Sequence, residues 1–315
     1  MIRIPPDLAL TLAAVVEEGS LDAAAARLHV SPSAISQRIK ALEEQLGRVL
    51  LVRSRPARPT EAALPVIRFA RQLALLEHDA VAGLGAVQER VSIPLAVNAD
   101  SLATWFLEPL QRLSVRHPIV FDLHRDDQDF TAGLLEAGTV MGAVTSRAEA
   151  VAGCRVIALG TLVYEAVATP EYVAEWFPER RDAGTLARAP LIDFDRRDEL
   201  QSRWLAAQGA DAALPPRHRV PASHDFAAAT LLGLGWALLP RLQSRAALEA
   251  GTLVPLGGPV IEVPLYWQQW NLRSALLDAV ADEVVAEGRR MLVRSDTGTG
   301  AGSGAAGGAG VEGVR

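Results

Sequence analysis

Two helices separated by a three-residue turn constrain this chain more than any other feature. Ser20 is placed to N-cap a helix over Leu21 to Leu28, and Ser31 to N-cap a second one that opens with Pro32. A cap hydroxyl satisfies an orphan backbone N–H, and proline at the first helical position loses no hydrogen bond. His29 and Val30 fill the turn between them. The second helix is predicted to reach Leu46, with Ile35, Ile39, Leu42 and Leu46 as its apolar stripe and Gly47 as its stop. A preceding helix over Asp7 to Glu17 carries Leu8, Leu12, Val15 and Val16 on one face and ends at Gly19. After Gly47 the stretch LLVRSRPARPT is too rich in Pro and Arg for a helix and suits a short β-ribbon. Thr60 is then placed to cap a long helix reaching about Leu84.

A helix pair of this kind inside a trihelical unit has helix-turn-helix geometry, in which the second helix enters the DNA major groove by its N-terminal end. The formal net charge of −6 argues against nucleic acid only until it is divided. Residues 27–71 hold nine Lys or Arg against three Glu, whereas residues 91–315 hold 20 basic and 27 acidic residues. A basic module joined to an acidic remainder is thus expected. Ser31, Pro32, Ser33, Ala34, Ser36, Gln37, Arg38 and Lys40 form the candidate DNA-reading segment. The Ser and Gln groups and the cations suit base edges and phosphates, and Ala34 suits a thymine methyl. Arg53, Arg55 and Arg58 in the ribbon would meet phosphates or the minor groove. The competing reading is a solvated surface helix.

From Val91 onward short apolar runs alternate with amphipathic helices, which predicts α/β units with mainly parallel sheets. The length favours two lobes, with the chain crossing back near Leu265. In such sheets a small molecule binds beyond the carboxyl ends of strands. Strand ends are predicted at Asn98, Arg125, Thr145 and Asp195. Asp100, Ser101, Asp127, Thr145, Asp193, Asp195 and His224 are the candidate ligand residues beside those ends or at a helix start. Carboxylates on both sides of a cleft suit a cationic ligand, which needs such partners once desolvated. Each single Asp is equally readable as a helix cap, Asp129 and Asp225 especially.

Other chemistry is thinly represented. Cys154 is the one cysteine, so no intramolecular disulfide and no Cys-based zinc site is expected, and a structural thiol fits it better than a nucleophile. The six His show no HxxxH or HExxH spacing, and no catalytic triad context is present. The expectation is no metal, no cofactor and no enzyme. The N-terminus lacks the apolar region of a signal peptide, and no apolar run approaches a membrane span, so a cytoplasmic protein is expected. Residues 293–315 read as a disordered Gly/Ala/Ser tail.

The segment AAAARLHVSPSAISQRIKALEEQLGRVLLVRSRPARPTEAA resembles the N-terminal domain of LysR-type transcriptional regulators. It shares the Ala-rich second helix, Ser-Ala-Ile-Ser-x-x-Ile, the Leu-Glu-x-x-Leu-Gly end and the Leu-Leu-x-Arg wing. It departs at Ala63 or Leu64, where the family often has Gly. The resemblance covers roughly residues 1–292. It implies a mixed α and α/β chain with a winged helix-turn-helix over 1–60, a linker and dimerisation helix over 61–89, and a two-lobed, periplasmic-binding-protein-like effector domain over 90–292. Lobe I would take about 90–160 and 266–292, and lobe II about 161–265. VNADSLATWFLEPL, Asp193-Phe-Asp195 and Leu265-Tyr-Trp267 are similar to the LysG/ArgP branch, whose members sense basic amino acids and control their export. The implied partners are a dyad-symmetric double-stranded operator, lysine or arginine, a second and a fourth copy of the chain, and RNA polymerase. No membrane partner is implied. The alternative is a sequence-tolerant architectural DNA-binding protein without effector dependence.

Overall fold

The computed structural model describes residues 3–52, 54–84, 90–125 and 131–294. Arg53, Asp127, Asp129 and residues 295–315 lie outside the described residues. The chain opens with α1 (Pro6–Glu18), α2 (Leu21–Arg27) and α3 (Pro32–Leu46). The Ser20 and Ser31 hydroxyls accept from the amides of Ala23 and Ala34, so both predicted caps form. Gly47 ends α3 in the left-handed conformation, at φ 64°. Leu12, Val15, Ile35, Ile39 and Leu42 meet in one small core. Strands β1 (Leu51–Val52) and β2 (Arg58–Pro59) pair antiparallel as the ribbon.

Thr60 does not cap the long helix. Its hydroxyl turns back and donates to the Val49 carbonyl, a single 3-10 turn follows, and α4 (Leu64–Gly83) starts beyond it. The apolar positions of α4 divide between two faces. Ile67, Ala70 and Leu75 are buried within their own chain, the first two against the trihelical core. Phe69 and Leu76, seven residues apart on another face, are 36% and 41% exposed. Helical periodicity shows that a helix has an apolar face, but not which of two apolar faces meets its own chain.

The rest of the chain builds β3 (Val91–Val97), α5 (Ala99–Thr104), α6 (Leu107–Arg116), β4 (Ile119–Arg125), α7 (Thr131–Glu136) and β5 (Gly142–Thr145). The long strand β6 (Cys154–Ala168) leads to α8 (Pro170–Trp176), α9 (Ala183–Leu186), β7 (Leu191–Asp193), α10 (Leu200–Ala207), β8 (Arg217–Arg219), α11 (Ser223–Leu231), β9 (Ala237–Pro240), α12 (Arg241–Glu249) and β10 (Val254–Pro255). Strand β11 (Ile261–Trp270) and α13 (Ala275–Met291) close the chain.

The main sheet is mixed, not mainly parallel. β3 pairs parallel with β4 and β5, but β11 runs antiparallel to β5 and β6, and β6 antiparallel to β9 and β10. Only β7 and β8 add another parallel pair. The reason is topological. β6 and β11 each pass from one half of the domain to the other, and they lie against each other in opposite directions. Their register slips between Leu265 and Tyr266. Facing that slip, Gly160 holds φ 144°, and a Cβ there would stand 2.8 Å from Leu292 Cβ and from the Val293 carbonyl oxygen. That conformation and that contact suit glycine alone. The apolar core runs through both halves, with Trp105, Phe106 and Trp267 in one and Trp204 and Trp236 in the other.

Gly160→Ala is expected to destabilise the domain by about 1–3 kcal/mol, through overpacking and positive-φ strain. The check is the urea midpoint at unchanged slope.

Candidate functional site

Two sites emerge, one on the trihelical unit and one in the α/β domain. On α3 the side chains of Pro32, Ser33, Gln37 and Lys40 are exposed on the helix surface, while Ile35 and Ile39 point into the core. Ala34, Ser36 and Arg38 are half-buried along the edge of that face. Ser31 Oγ lies 2.9 Å from Ser33 Oγ, so the cap hydroxyl also orients the first exposed serine. Arg38 Nη1 donates to Thr11 Oγ1 at 3.3 Å, which anchors its guanidinium beside α1. Arg55 and Arg58 are exposed in the ribbon. Arg27 is neutralised by Glu17 and Glu18. The face therefore offers short polar groups at the start of α3, with cations further along it and in the ribbon.

The second site is a cavity of about 620 Å³ between the two halves. The ends of β3 and β4 contribute Asn98, Asp100 and Arg125, and the chain after β7 contributes Phe194, Asp195, Arg197 to Gln201 and Arg203. Tyr164 of the crossing strand β6 lies between them. Asp100 joins the halves. Its Oδ2 accepts from Tyr164 Oη and its Oδ1 from Ser223 Oγ, both at 2.7 Å. Burial pushes the Asp100 carboxyl above the ordinary range, and the two hydroxyl donors only partly oppose this.

The loop after β7 supplies more charge. Asp198 accepts from the Phe194 amide at 2.9 Å and from the Leu200 amide at 3.0 Å, one on each oxygen. Its carboxyl is also raised, first by burial and further by the charges of Asp193 and Asp100. Asp195 behaves oppositely. Burial acts to raise it, but the Arg197 amide and guanidinium bring the carboxyl below its ordinary value. Asp100, Asp195, Asp198 and Glu199 thus face Arg125, Arg197 and Arg203 around one cavity. Carboxylates kept partly desolvated are poor at stabilising a fold and good at receiving a cation.

Only part of the predicted ligand set meets here. Asp100 and Asp195 line the cavity. Asp193 does not: it is 2% exposed and its carboxylate takes both bonds of Arg217 Nη1, at 2.9 and 2.8 Å. It lines a neighbouring recess instead, with Arg196, Ser202 and Arg217. Ser101 is buried behind Asp100, its hydroxyl without a partner. Thr145 is buried and accepts from the Arg147 amide. His224 is exposed and outside the cavity lining. Asp225 caps nothing, since α11 starts at Ala222 with no side-chain cap. Asn98, Tyr164, Asp198 and Gln201 were missed. Asp198 sits in an acidic run where sequence alone does not rank one Asp above another, and Tyr164 is mid-strand with no local signal. Cys154 is half-buried, and burial pushes its thiol up, which suits a structural role. Among the described residues no three His, Cys, Asp or Glu side chains gather as a metal site, and no helix is long and apolar enough to cross a membrane.

Two arginines of α4 tie the linker helix to the α/β domain, and one of them also ties it to α1. Arg71 on α4 donates from Nε to Glu17 of α1 at 3.1 Å, and from Nη1 to the carbonyls of Gly138 and Thr139 at 2.5 and 2.8 Å. Arg68, one turn earlier, reaches the Ala152 and Gly153 carbonyls and lies 5.5 Å above the Trp270 ring.

Comparison with known proteins agrees with this division. The model of the bacterial regulatory helix-turn-helix proteins of the lysR family matches residues 7–64, and that of the LysR substrate binding domain matches residues 88–289. The chain is 40% identical over 281 residues to the lysine export transcriptional regulatory protein LysG of Corynebacterium efficiens, covering 89% of this chain and 96% of that one. The crystal structure of ArgP from Mycobacterium tuberculosis is similar at a TM-score of 0.82 and 43% identity, covering 93% of this chain and 99% of that one. Full-length LysG from Corynebacterium glutamicum, solved with bound effector Arg, is similar at 0.72 and 36%, covering 92% and 99%.

The raised Asp100 carboxyl carries a sign. A carboxyl whose folded value lies above its unfolded value near 3.9 favours the fold most at low pH, and that contribution is lost as pH rises from there through the folded value. Asp100→Asn removes the buried charge and keeps an acceptor for Tyr164. Its melting temperature is expected to gain on the parent's as pH rises from about 4 toward neutrality; a gap independent of pH would refute the buried-charge account.

Proposed function

The chain belongs to the lysR family of bacterial helix-turn-helix regulators, and from that membership we propose that it is a sequence-specific transcriptional regulator whose effector is a basic amino acid, lysine or arginine. The observation that carries the effector reading is the cavity between the halves, where Asp100 and Asp198 are held desolvated without a cation of their own. An α-ammonium together with a side-chain ammonium or guanidinium brings donors and positive charge to these two carboxylates, for which no ion pair is formed among the described residues. The regulators this chain is similar to support the same reading: one is named for lysine export and another was solved with Arg. The regulated gene then encodes an amino-acid exporter.

On DNA, the α3 face reads base edges through Ser33 and Gln37, and Arg55 and Arg58 hold the backbone. The exposed Phe69 and Leu76, on one face of α4, give a seam for a second copy of the chain. A two-fold dimer calls for a dyad-symmetric operator with half-sites about one helical turn apart. Two such dimers make the tetramer, and activation proceeds by contact with RNA polymerase. Arg71 supplies the physical route between the sites, because one guanidinium holds both α1 and the effector domain.

Calorimetric titration of the full chain with lysine, arginine, histidine and a neutral amino acid tests the effector. Saturable binding of a basic amino acid and none of the neutral one is expected, with affinity rising as pH climbs out of the carboxylate range. Binding of none would favour a sequence-tolerant architectural protein instead. On the DNA side, Gln37→Ala or Ser33→Ala is expected to lose about 1–3 kcal/mol of operator preference per base contact. Competition between operator and random duplex reads this, and an unchanged ratio would remove those two residues from base recognition.

A further inference from the structure

Two buried amide oxygens on the cavity wall have no donor. Asn98 is 4% exposed and Gln201 1% exposed, and both line the cavity. Asn98 Oδ1 and Gln201 Oε1 are each buried without a hydrogen-bond partner. A buried acceptor left unmet costs stability, so such groups are rare in a finished core and call for an explanation. They come from different halves: Asn98 follows β3, and Gln201 lies in the first turn of α10.

The Gln201 amide cannot be turned round to resolve this. Its Nε2 donates to the Ile192 carbonyl at 2.9 Å. Exchanging N and O would set two acceptors against each other, so the amide must keep its oxygen on the opposite side. Three residues earlier, Asp198 has each oxygen fixed by a backbone amide, of Phe194 and of Leu200, which leaves its remaining lone pairs for a ligand. The wall of the cavity that carries this carboxylate thus also carries a neutral acceptor, buried, oriented and unpaired.

The two cations open to a basic amino acid differ here. An ammonium carries three donors around a point charge, and a carboxylate takes most of them. A guanidinium carries five in a planar fork; two engage a carboxylate and the others point past it. We propose that Gln201 is a specificity-determining residue of the effector cavity, its amide oxygen accepting an N–H of a guanidinium whose charge is met by Asp198, so that arginine is preferred over lysine. Asn98 offers a second oxygen, from the other half, to the ligand's remaining donors. This assignment rests on the basic amino-acid reading above.

The test is calorimetric titration of L-arginine and of L-lysine into the full chain and into Gln201→Met. The parent is expected to prefer arginine. The variant is expected to lose about tenfold in arginine affinity and much less in lysine affinity, as befits one hydrogen bond to a charged group. The ratio of the two affinities decides the matter, since general loosening of α10 would weaken both ligands alike. Should Gln201→Met fail to fold by circular dichroism, Gln201→Asn, which withdraws the oxygen by one methylene, reads the same ratio. An unchanged ratio in the folded variant, or a parent that prefers lysine, overturns the role of Gln201 and leaves the basic amino-acid reading in place. A parent that binds neither overturns both.

Discussion

The antiparallel pairing of β6 with β11 is the constraint on which the rest of the effector domain depends. Both strands belong to both halves, and β11 contacts β6 along its whole length, from Ile261 opposite Tyr164 to Trp270 opposite Cys154. All else attaches to that pair: β5, β3 and β4 beyond β11, and β9 and β10 beyond the far end of β6. The cavity lies where the two sets of strands diverge from this shared pair, with Tyr164 of β6 in its wall. Tyr164, near the end of that shared segment, and Ser223 of α11 together hold Asp100, which comes from the other half.

That arrangement sets burial against charge. Removing a carboxylate from water is costly, and two hydroxyl donors return only part of what hydration supplied. Asp100 and Asp198 both keep raised carboxyls despite two hydrogen bonds each. A fold selected for stability alone would pair them, as it pairs the buried Asp193 with Arg217. The contrast between Asp193 and Asp198, five residues apart, separates a structural carboxylate from a receptive one. The Phe194 and Leu200 amides also fix Asp198 before any ligand arrives, which lowers the ordering entropy left to binding.

How much was legible in the sequence followed from how local each signal was. Caps and stops are local, and Ser20, Ser31 and Gly47 act as their types dictate. Strand ends at Arg125 and Thr145 were readable because apolar runs stop at polar residues. Thr60 has cap chemistry, but a carbonyl of the preceding ribbon takes its hydroxyl. The inner face of α4 depended on what α1 presents to it, and the mixed sheet depended on two distant strands meeting. Among the described acids of the predicted set, Asp100 and Asp195 line the cavity and Asp193 does not. Strand register decided the fate of Asp193, and no local pattern encodes register between strands 26 positions apart in sequence.

The contacts of α4 decide what a change at the cavity can move. Arg68 and Arg71 hold the helix to carbonyls before β5 and before β6, and Asp79 accepts from the Ala275 amide at the start of α13. Those partners lie in the half that carries Asn98, Asp100 and Arg125. No contact of this kind joins α4 to α10, β7 or α11 among the described residues. The first half and the linker helix are therefore tied into one body, whereas the second half meets that body along the β6–β11 pair and through the Asp100 hydrogen bonds. Glu17 extends that body into the trihelical unit through Arg71. A ligand that favours one angle between the halves acts on the DNA-binding face only through how the second half meets other copies of the chain, or through strain passed along α4. Either route must work in both directions, because a coupling free energy between two binding sites is reciprocal: DNA that selects one arrangement of the linker helix changes effector affinity by the same factor.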